Sequence, residues 1–259
     1  MTQTVNIDVD AALAVVTIDR PEVRNAIDDA VLAGLEGAFH TLARNTAVRV
    51  VILTGAGSAF ASGADIKAMS GFTPEEARAF SHRGQRVLNI IESFVHPVLA
   101  AVNGAALGGG CELAMACDLR IASDRARIGL PEVKLGVMPG FGGTQRMARI
   151  IGRSAAKYLM FTGEAIPASR ALELGLFNEV VGPDQLMARC LELARVIASR
   201  APIAVAHCKA AVNLGTDSTL GHGLSHEAEL FALTFTTADQ KAGMQAFLEK
   251  RDDVIFQGL

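Results

Sequence analysis

Two glutamates, Glu112 and Glu132, stand in glycine-rich segments, "GGGCELAM" from Gly108 and "GLPEVKLGVMPGFGG" from Gly129. A carboxylate pair supplies what addition of water to an activated double bond requires: a base for the water and an acid for the adjacent carbon. An apolar pocket would raise one of the two towards the ~6–7 suited to proton transfer at neutral pH. The glycines add a second element. Gly108 to Gly110 follow a predicted strand, "VLAAVNG", and precede a predicted helix, "CELAMAC". The free N–H groups of a helix N-terminus then point out at the glycines and make a donor site for a negatively charged oxygen. If that oxygen is a thioester carbonyl becoming an enolate, two backbone donors would stabilise it, and losing one typically costs ~10²–10³ in rate. The second donor is expected from another tight strand-end loop, "FASGAD", with Gly63 and Ala64.

An α/β frame positions these groups. Short β-branched runs predict strands at "VNIDV", "LAVVTID", "VRVVILT" (48–54), "PVLAAV" (97–102), "LRIAS" (119–123) and "FNEVV" (177–181). Between them, Asp28 opens a helical pattern through Val31, Leu32, Leu35, Phe39 and Leu42, and Thr73-Pro74-Glu75-Glu76 caps a helix running towards Phe94. After about residue 183 the predicted strands stop. Helices are expected over 184–200, 202–214 and 223–251, the last broken near Thr237-Ala238-Asp239. Such a tail has too little core to stand alone, and it reads as an oligomerisation appendage.

Composition narrows the function. The chain has 259 residues, half of them apolar, and a net charge of -3 with scattered basic residues, which gives no electrostatic footprint for nucleic acid or an anionic membrane. The start, "MTQTVNIDVD", lacks the pattern of a signal peptide, and no apolar run approaches a membrane span. A cytoplasmic setting is the expectation. There Cys111, Cys117, Cys190 and Cys208 stay reduced and are read as small buried residues. Gly55-x-Gly57 after a strand imitates a dinucleotide fingerprint, but its third position is Phe60. His222 and His226 have the spacing of a metal pair on a helix, yet no H-E-x-x-H accompanies them, and no metal is expected.

At these residues the chain resembles the enoyl-CoA hydratase (crotonase) family. The resemblance runs through "RPEVRNAID", "SAFASGADIKAM", "NGAALGGGCELAMACDLRIAS", "GLPEVKLGVMPGFGGTQRMARIIG", "ALELGLFNEVV" and "GMQAFLEKR". It implies a spiral of repeated ββα units over residues 1–200, carrying an acyl-CoA site. A helical trimerisation region would follow over 201–259, with trimers that often pair into hexamers. It further implies oxyanion-hole amides at Ala64 and Gly109 and a water held by Glu112 and Glu132. The residues alone leave the division between base and acid open; the resemblance makes Glu112 the base and Glu132 the donor to the α-carbon. By the same resemblance Ala64, Asp65, Ile66 and Lys67 run along the CoA arm, Arg24 lies near a CoA phosphate, and Phe231 and Lys250 reach a neighbour's CoA. Leu130 and Phe141 depart from the commoner family residues, and either would reshape the acyl pocket. The expected substrate is a 2-trans-enoyl-CoA; CoA arrives attached to it, so no separate cofactor is expected. A Δ3,Δ2-enoyl-CoA isomerase, and a non-catalytic acyl-CoA-binding or RNA-binding relative, are the alternative readings.

Overall fold

The computed structural model describes residues 4–259. Strands β1 (Val5–Asp10) and β2 (Leu13–Ile18) form an antiparallel hairpin, and helix α1 (Asp29–Leu42) follows. Asp28 caps α1 by accepting from the Val31 amide, and the apolar stripe read from the sequence is the face that α1 buries.

The chain then winds in repeating turns. Each of the first three turns places one strand in a large sheet, one in a small sheet, and then helical structure. The first turn is β3 (Val50–Gly55), β4 (Ala59–Ala61), α2 (Ile66–Met69) and α3 (Pro74–Glu92). The second is β5 (Val98–Val102), β6 (Ala105–Leu107) and α4 (Gly109–Met115). The third is β7 (Leu119–Ser123) and β8 (Arg127–Gly129), followed after a loop by α5 (Gly143–Ile151) and α6 (Arg153–Thr162). A fourth turn adds β9 (Ala165–Pro167) to the small sheet, then α7 (Ala168–Glu173), then β10 (Glu179–Val181) to the large one. The large sheet has the order β1-β2-β3-β5-β7-β10 and is parallel from β2 onward; the small sheet has the order β4-β6-β8-β9, with β9 antiparallel.

Burial on both faces explains the continuous apolar strands. Val51 and Leu53 of β3, with Val98, Ala100 and Val102 of β5, face the main core of the spiral. Their neighbours Val50, Ile52, Leu99 and Ala101 face a second core closed by Leu186, Cys190 and Ala194 of α8 (Leu186–Ala198). Three further helices complete the chain: α9 (Pro202–Thr216), α10 (Leu220–Thr234) and α11 (Ala238–Leu248). The break between the last two falls at Thr237, which caps α11. Among the described residues no helix is long and apolar enough to cross a membrane.

Two sequence expectations change. The strand before the glycine run is two strands, β5 and β6, separated by Asn103 and Gly104; the Asn103 amide ties that corner to the Gly55 and Gly57 carbonyls. Cys208 is exposed, whereas Cys111, Cys117 and Cys190 are buried as expected.

Candidate active site

Three neighbouring parallel strands of the small sheet end at one place, and the predicted site residues come off their carboxyl ends. β4 runs into Ser62-Gly63-Ala64, β6 into Gly108-Gly109, and β8 through Leu130 and Pro131 into a 3₁₀ turn at Glu132–Leu135. A parallel sheet directs its ligand crevice to that end. A cavity of about 690 Å³ opens there, and Ala64, Ile66, Gly109, Glu112 and Glu132 all line it.

The first loop is held from outside. The Gly63 carbonyl accepts from the Ile27 amide at 2.8 Å, the Asp65 amide donates to the Ile27 carbonyl at 2.9 Å, and the Ser62 amide donates to the Arg24 carbonyl at 3.0 Å. In that bridge the Gly63 carbonyl and the Asp65 amide are used, so the Ala64 N–H, trans to that carbonyl across the peptide, points away from Ile27; the Ala64 nitrogen lies beside the start of α4, 3.4 Å from a methyl built on Gly109. Gly109 is the first residue of α4, so its own N–H has no partner one turn back. The backbone nitrogens of Ala64 and Gly109, from adjacent loops, thus lie close together.

Glycine is needed at two positions here. Gly108 has φ +52° and ψ -123°, a region closed to residues with a Cβ, and a methyl there would also press on Glu132 Oε1 at 3.2 Å. Gly110 packs α4 onto β4, where a methyl would stand 2.0 Å from the Ala61 carbonyl oxygen.

Glu112 lies in the first turn of α4 and is 2% exposed. It is therefore no surface complement to the helix dipole. Its Oε1 accepts from the Phe141 amide at 2.8 Å and the Gly143 amide at 2.7 Å. Burial pushes its carboxyl up to about 7; the Gly143 amide works against that rise, and the charge of Glu132 adds to it. Glu132 is also raised by burial, and its Oε2 is buried with no hydrogen-bond partner among the described residues. A carboxylate oxygen left bare at a cavity wall is available to a ligand. Cys111, next to Glu112, has its thiol driven far up by burial and is no nucleophile at neutral pH.

Other predicted residues fall elsewhere. Asp65 caps α2 by accepting from the Lys67 and Ala68 amides, and Lys67 is exposed beside it. Arg24 is exposed, with φ +52°, and supports the Ser62 amide through its backbone. Phe231, on α10, is 64% exposed and packs edge-on against Phe235; Lys250 follows α11. None of these five side chains lines the cavity in the single chain. Leu130 is fully buried in the main core and does not reach the cavity, whereas Phe141 does. Among the described residues no three His, Cys, Asp or Glu side chains converge to hold a metal ion.

Sequence reasoning missed the residues that hold Glu112. Arg146, on α5, donates to the Phe141 carbonyl at 2.9 Å and pairs with Glu92 at 2.6 Å and Asn89 at 2.6 Å on α3. The guanidinium thereby pins the loop whose amides grip the carboxylate. The signal was present in "PGFGGTQR": glycines opening a helix leave amides free, as they do before α4.

The enoyl-CoA hydratase/isomerase family model matches residues 8–257. The chain is 48% identical over 240 residues to the short-chain-enoyl-CoA hydratase of Clostridium acetobutylicum, covering 92% of each. It is 47% identical over 240 residues to the crotonyl-CoA hydratase of Syntrophomonas wolfei, again covering 92% of each. The solved structure of an enoyl-CoA hydratase from Bacillus anthracis superposes with a TM-score of 0.95 at 38% identity, covering 99% of this chain and 100% of that one. With a match across nearly its whole length and a spiral fold in common, the chain belongs to the enoyl-CoA hydratase/isomerase family.

Proposed function

We propose that the chain adds water reversibly, in a syn sense, across short-chain 2-trans-enoyl-CoA thioesters to give 3-hydroxyacyl-CoA. The thioester carbonyl oxygen accepts from the Ala64 and Gly109 amides, which draws electron density away from the β-carbon. Glu112 removes a proton from water as its oxygen bonds to that carbon. The enolate oxygen stays in the amide pair, and Glu132 protonates the α-carbon. Burial raises both carboxyls, so the division between base and acid is taken from the family resemblance.

The observation that carries this reading is the pair itself: two carboxylates on one cavity, Glu112 buried and Glu132 half-buried, beside the loop ends that hold Ala64 and Gly109. An isomerase needs one proton shuttle, and the second carboxylate with its bare oxygen favours hydration. Crotonyl-CoA incubated in water enriched in heavy oxygen and deuterium tests it. The expected product carries the heavy oxygen at the β-carbon and one deuteron at the α-carbon; deuterium exchange with no oxygen gained would point to isomerisation and against hydration.

The cavity supports a short acyl chain. Phe72, Phe80 and Phe141 form an edge-to-face row with ring centres 5.6 and 5.1 Å apart, and the Phe141 ring also lies against Gly109. Phe141→Ala is expected to raise kcat/KM for an eight-carbon enoyl-CoA relative to crotonyl-CoA by about tenfold, at a stability cost of about 3 kcal/mol. A chain-length series with thermal melts checks both.

The same reading divides the chain at residue 200, with residues 201–259 serving trimerisation. Its support is exposure: α9 and α10 bury no residue in the single chain, and Leu220, Phe231, Phe247 and Leu248 are between 64% and 82% exposed. Neighbouring copies in a trimer or hexamer would cover them and bring Phe231 and Lys250 towards a second site. Arg24, Asp65, Ile66 and Lys67, on the rim near Ala64, would meet the CoA moiety, and the setting would be the cytoplasm. No metal or separate cofactor takes part in the proposed steps.

A further inference from the structure

Helix α3 turns two polar side chains onto a single backbone carbonyl beside the site. Ser81 Oγ donates to the Gly140 carbonyl at 2.6 Å, and Gln85 Nε2 donates to the same oxygen at 3.0 Å. That carbonyl belongs to the peptide unit whose N–H, on Phe141, donates to Glu112 Oε1 at 2.8 Å. Both side chains line the cavity. The rest of this helical face fits the same residue. Phe80 packs edge-on against the Phe141 ring, and at Gly84 a methyl would collide with that ring at 2.1 Å.

We propose that Ser81 and Gln85 are positioning residues for Glu112: they bind the carbonyl end of the Gly140–Phe141 peptide, fix its plane, and polarise its N–H towards the carboxylate. Hydrogen bonds in series strengthen one another, so donors on the carbonyl make the far N–H a better donor. A better donor favours the ionised carboxylate, the form a base needs. The helix that forms one wall of the acyl pocket therefore also sets the basicity of the group that activates water. This inference rests on the reading of Glu112 as the base.

The other groups acting on Glu112 are the Gly143 amide, Glu132 from the 3₁₀ turn and Arg146 from α5; the Cys111 thiol of α4 adjoins it, and Glu92 of α3 pairs with Arg146. None is altered in the double variant Ser81→Ala/Gln85→Leu, so a change in Glu112 reports the peptide relay. The Glu112 carboxyl is followed by infrared difference spectroscopy against pH, its band identified by loss in Glu112→Gln. In the double variant the midpoint is expected to rise by about half a pH unit or more. The acidic limb of kcat/KM for crotonyl-CoA should move up with it, and kcat at pH 7 should fall about twofold or more, following the smaller ionised fraction of Glu112, with KM nearly unchanged. Ser81→Thr, which keeps a hydroxyl, should retain the wild-type midpoint. If the double variant does not fold, Ser81→Ala and Gln85→Leu are titrated singly for the same upward shift. An unchanged infrared midpoint in a folded variant overturns the proposal whatever its activity. Absence of hydration by the wild-type protein would instead overturn the functional reading, and the infrared midpoint would still judge the relay.

Discussion

Glu112→Gln is expected to lose about 10²–10⁴-fold in kcat/KM for hydration and, at neutral and alkaline pH, to unfold at a higher temperature than the wild type. The first effect follows from removing the base while keeping the shape, since the amide oxygen of glutamine still accepts from the Phe141 and Gly143 amides. The second follows from the raised carboxyl. In the unfolded chain this group ionises near 4.5, and in the folded protein it holds its proton to about 7. Between those values the folded state binds more protons, so stability falls as pH rises through the window. Above it the full penalty is about 3 kcal/mol. Glutamine carries no such penalty. Thermal melts of both proteins at pH 4 and pH 8, with kinetics at pH 8, check the pair of effects. The melting advantage should be present at pH 8 and absent at pH 4. Near-normal turnover would remove Glu112 from the mechanism, and equal melting curves at both pH values would contradict its burial as a strained carboxylate. The same titration predicts that wild-type kcat/KM rises with pH up to about 7, because the base acts ionised.

Gly109→Pro should lower the rate by about 10²–10³-fold with the fold retained. Proline suits the first position of α4, where its fixed φ is helical and the missing N–H bonds nothing within the helix. Its Cβ would lie 3.3 Å from the Phe141 ring, a contact that a small ring shift relieves. On the proposed mechanism, what is lost is one of the two donors to the oxygen on which the enolate charge develops. That donor matters more as the charge grows, so kcat is expected to take most of the loss. Single-turnover kinetics with circular dichroism separate the effects: a native spectrum with slow chemistry is the expected result, and full-rate chemistry would place the oxyanion elsewhere.

The longer elements were legible because their patterns are strong. Asp28 and the stripe from Val31 to Leu42 gave α1, and β3 and β5 announced themselves as continuous apolar runs buried on both faces. The small sheet was not legible. Its strands, such as Ala59–Ala61 and Ala105–Leu107, are three residues long and weak in β-branched side chains, so they exist through pairing with one another across the spiral. Glu112 and Glu132 stood out because carboxylates are rare among glycines and apolar residues. The groups that tune Glu112 did not, since backbone amides of Phe141 and Gly143 leave no mark in side-chain chemistry, and Ser81, Gln85 and Arg146 look like ordinary helix residues until the loop between β8 and α5 folds over them.

The most direct test of the account is the ultraviolet absorbance of the conjugated thioester when purified protein meets crotonyl-CoA, with chromatography of the product. The absorbance is expected to decay to an equilibrium mixture dominated by 3-hydroxybutyryl-CoA, a decay abolished in Glu112→Gln and Glu132→Gln. Persistent absorbance from a folded protein that binds CoA thioesters, with conversion of a 3-enoyl-CoA to the conjugated isomer, would contradict it.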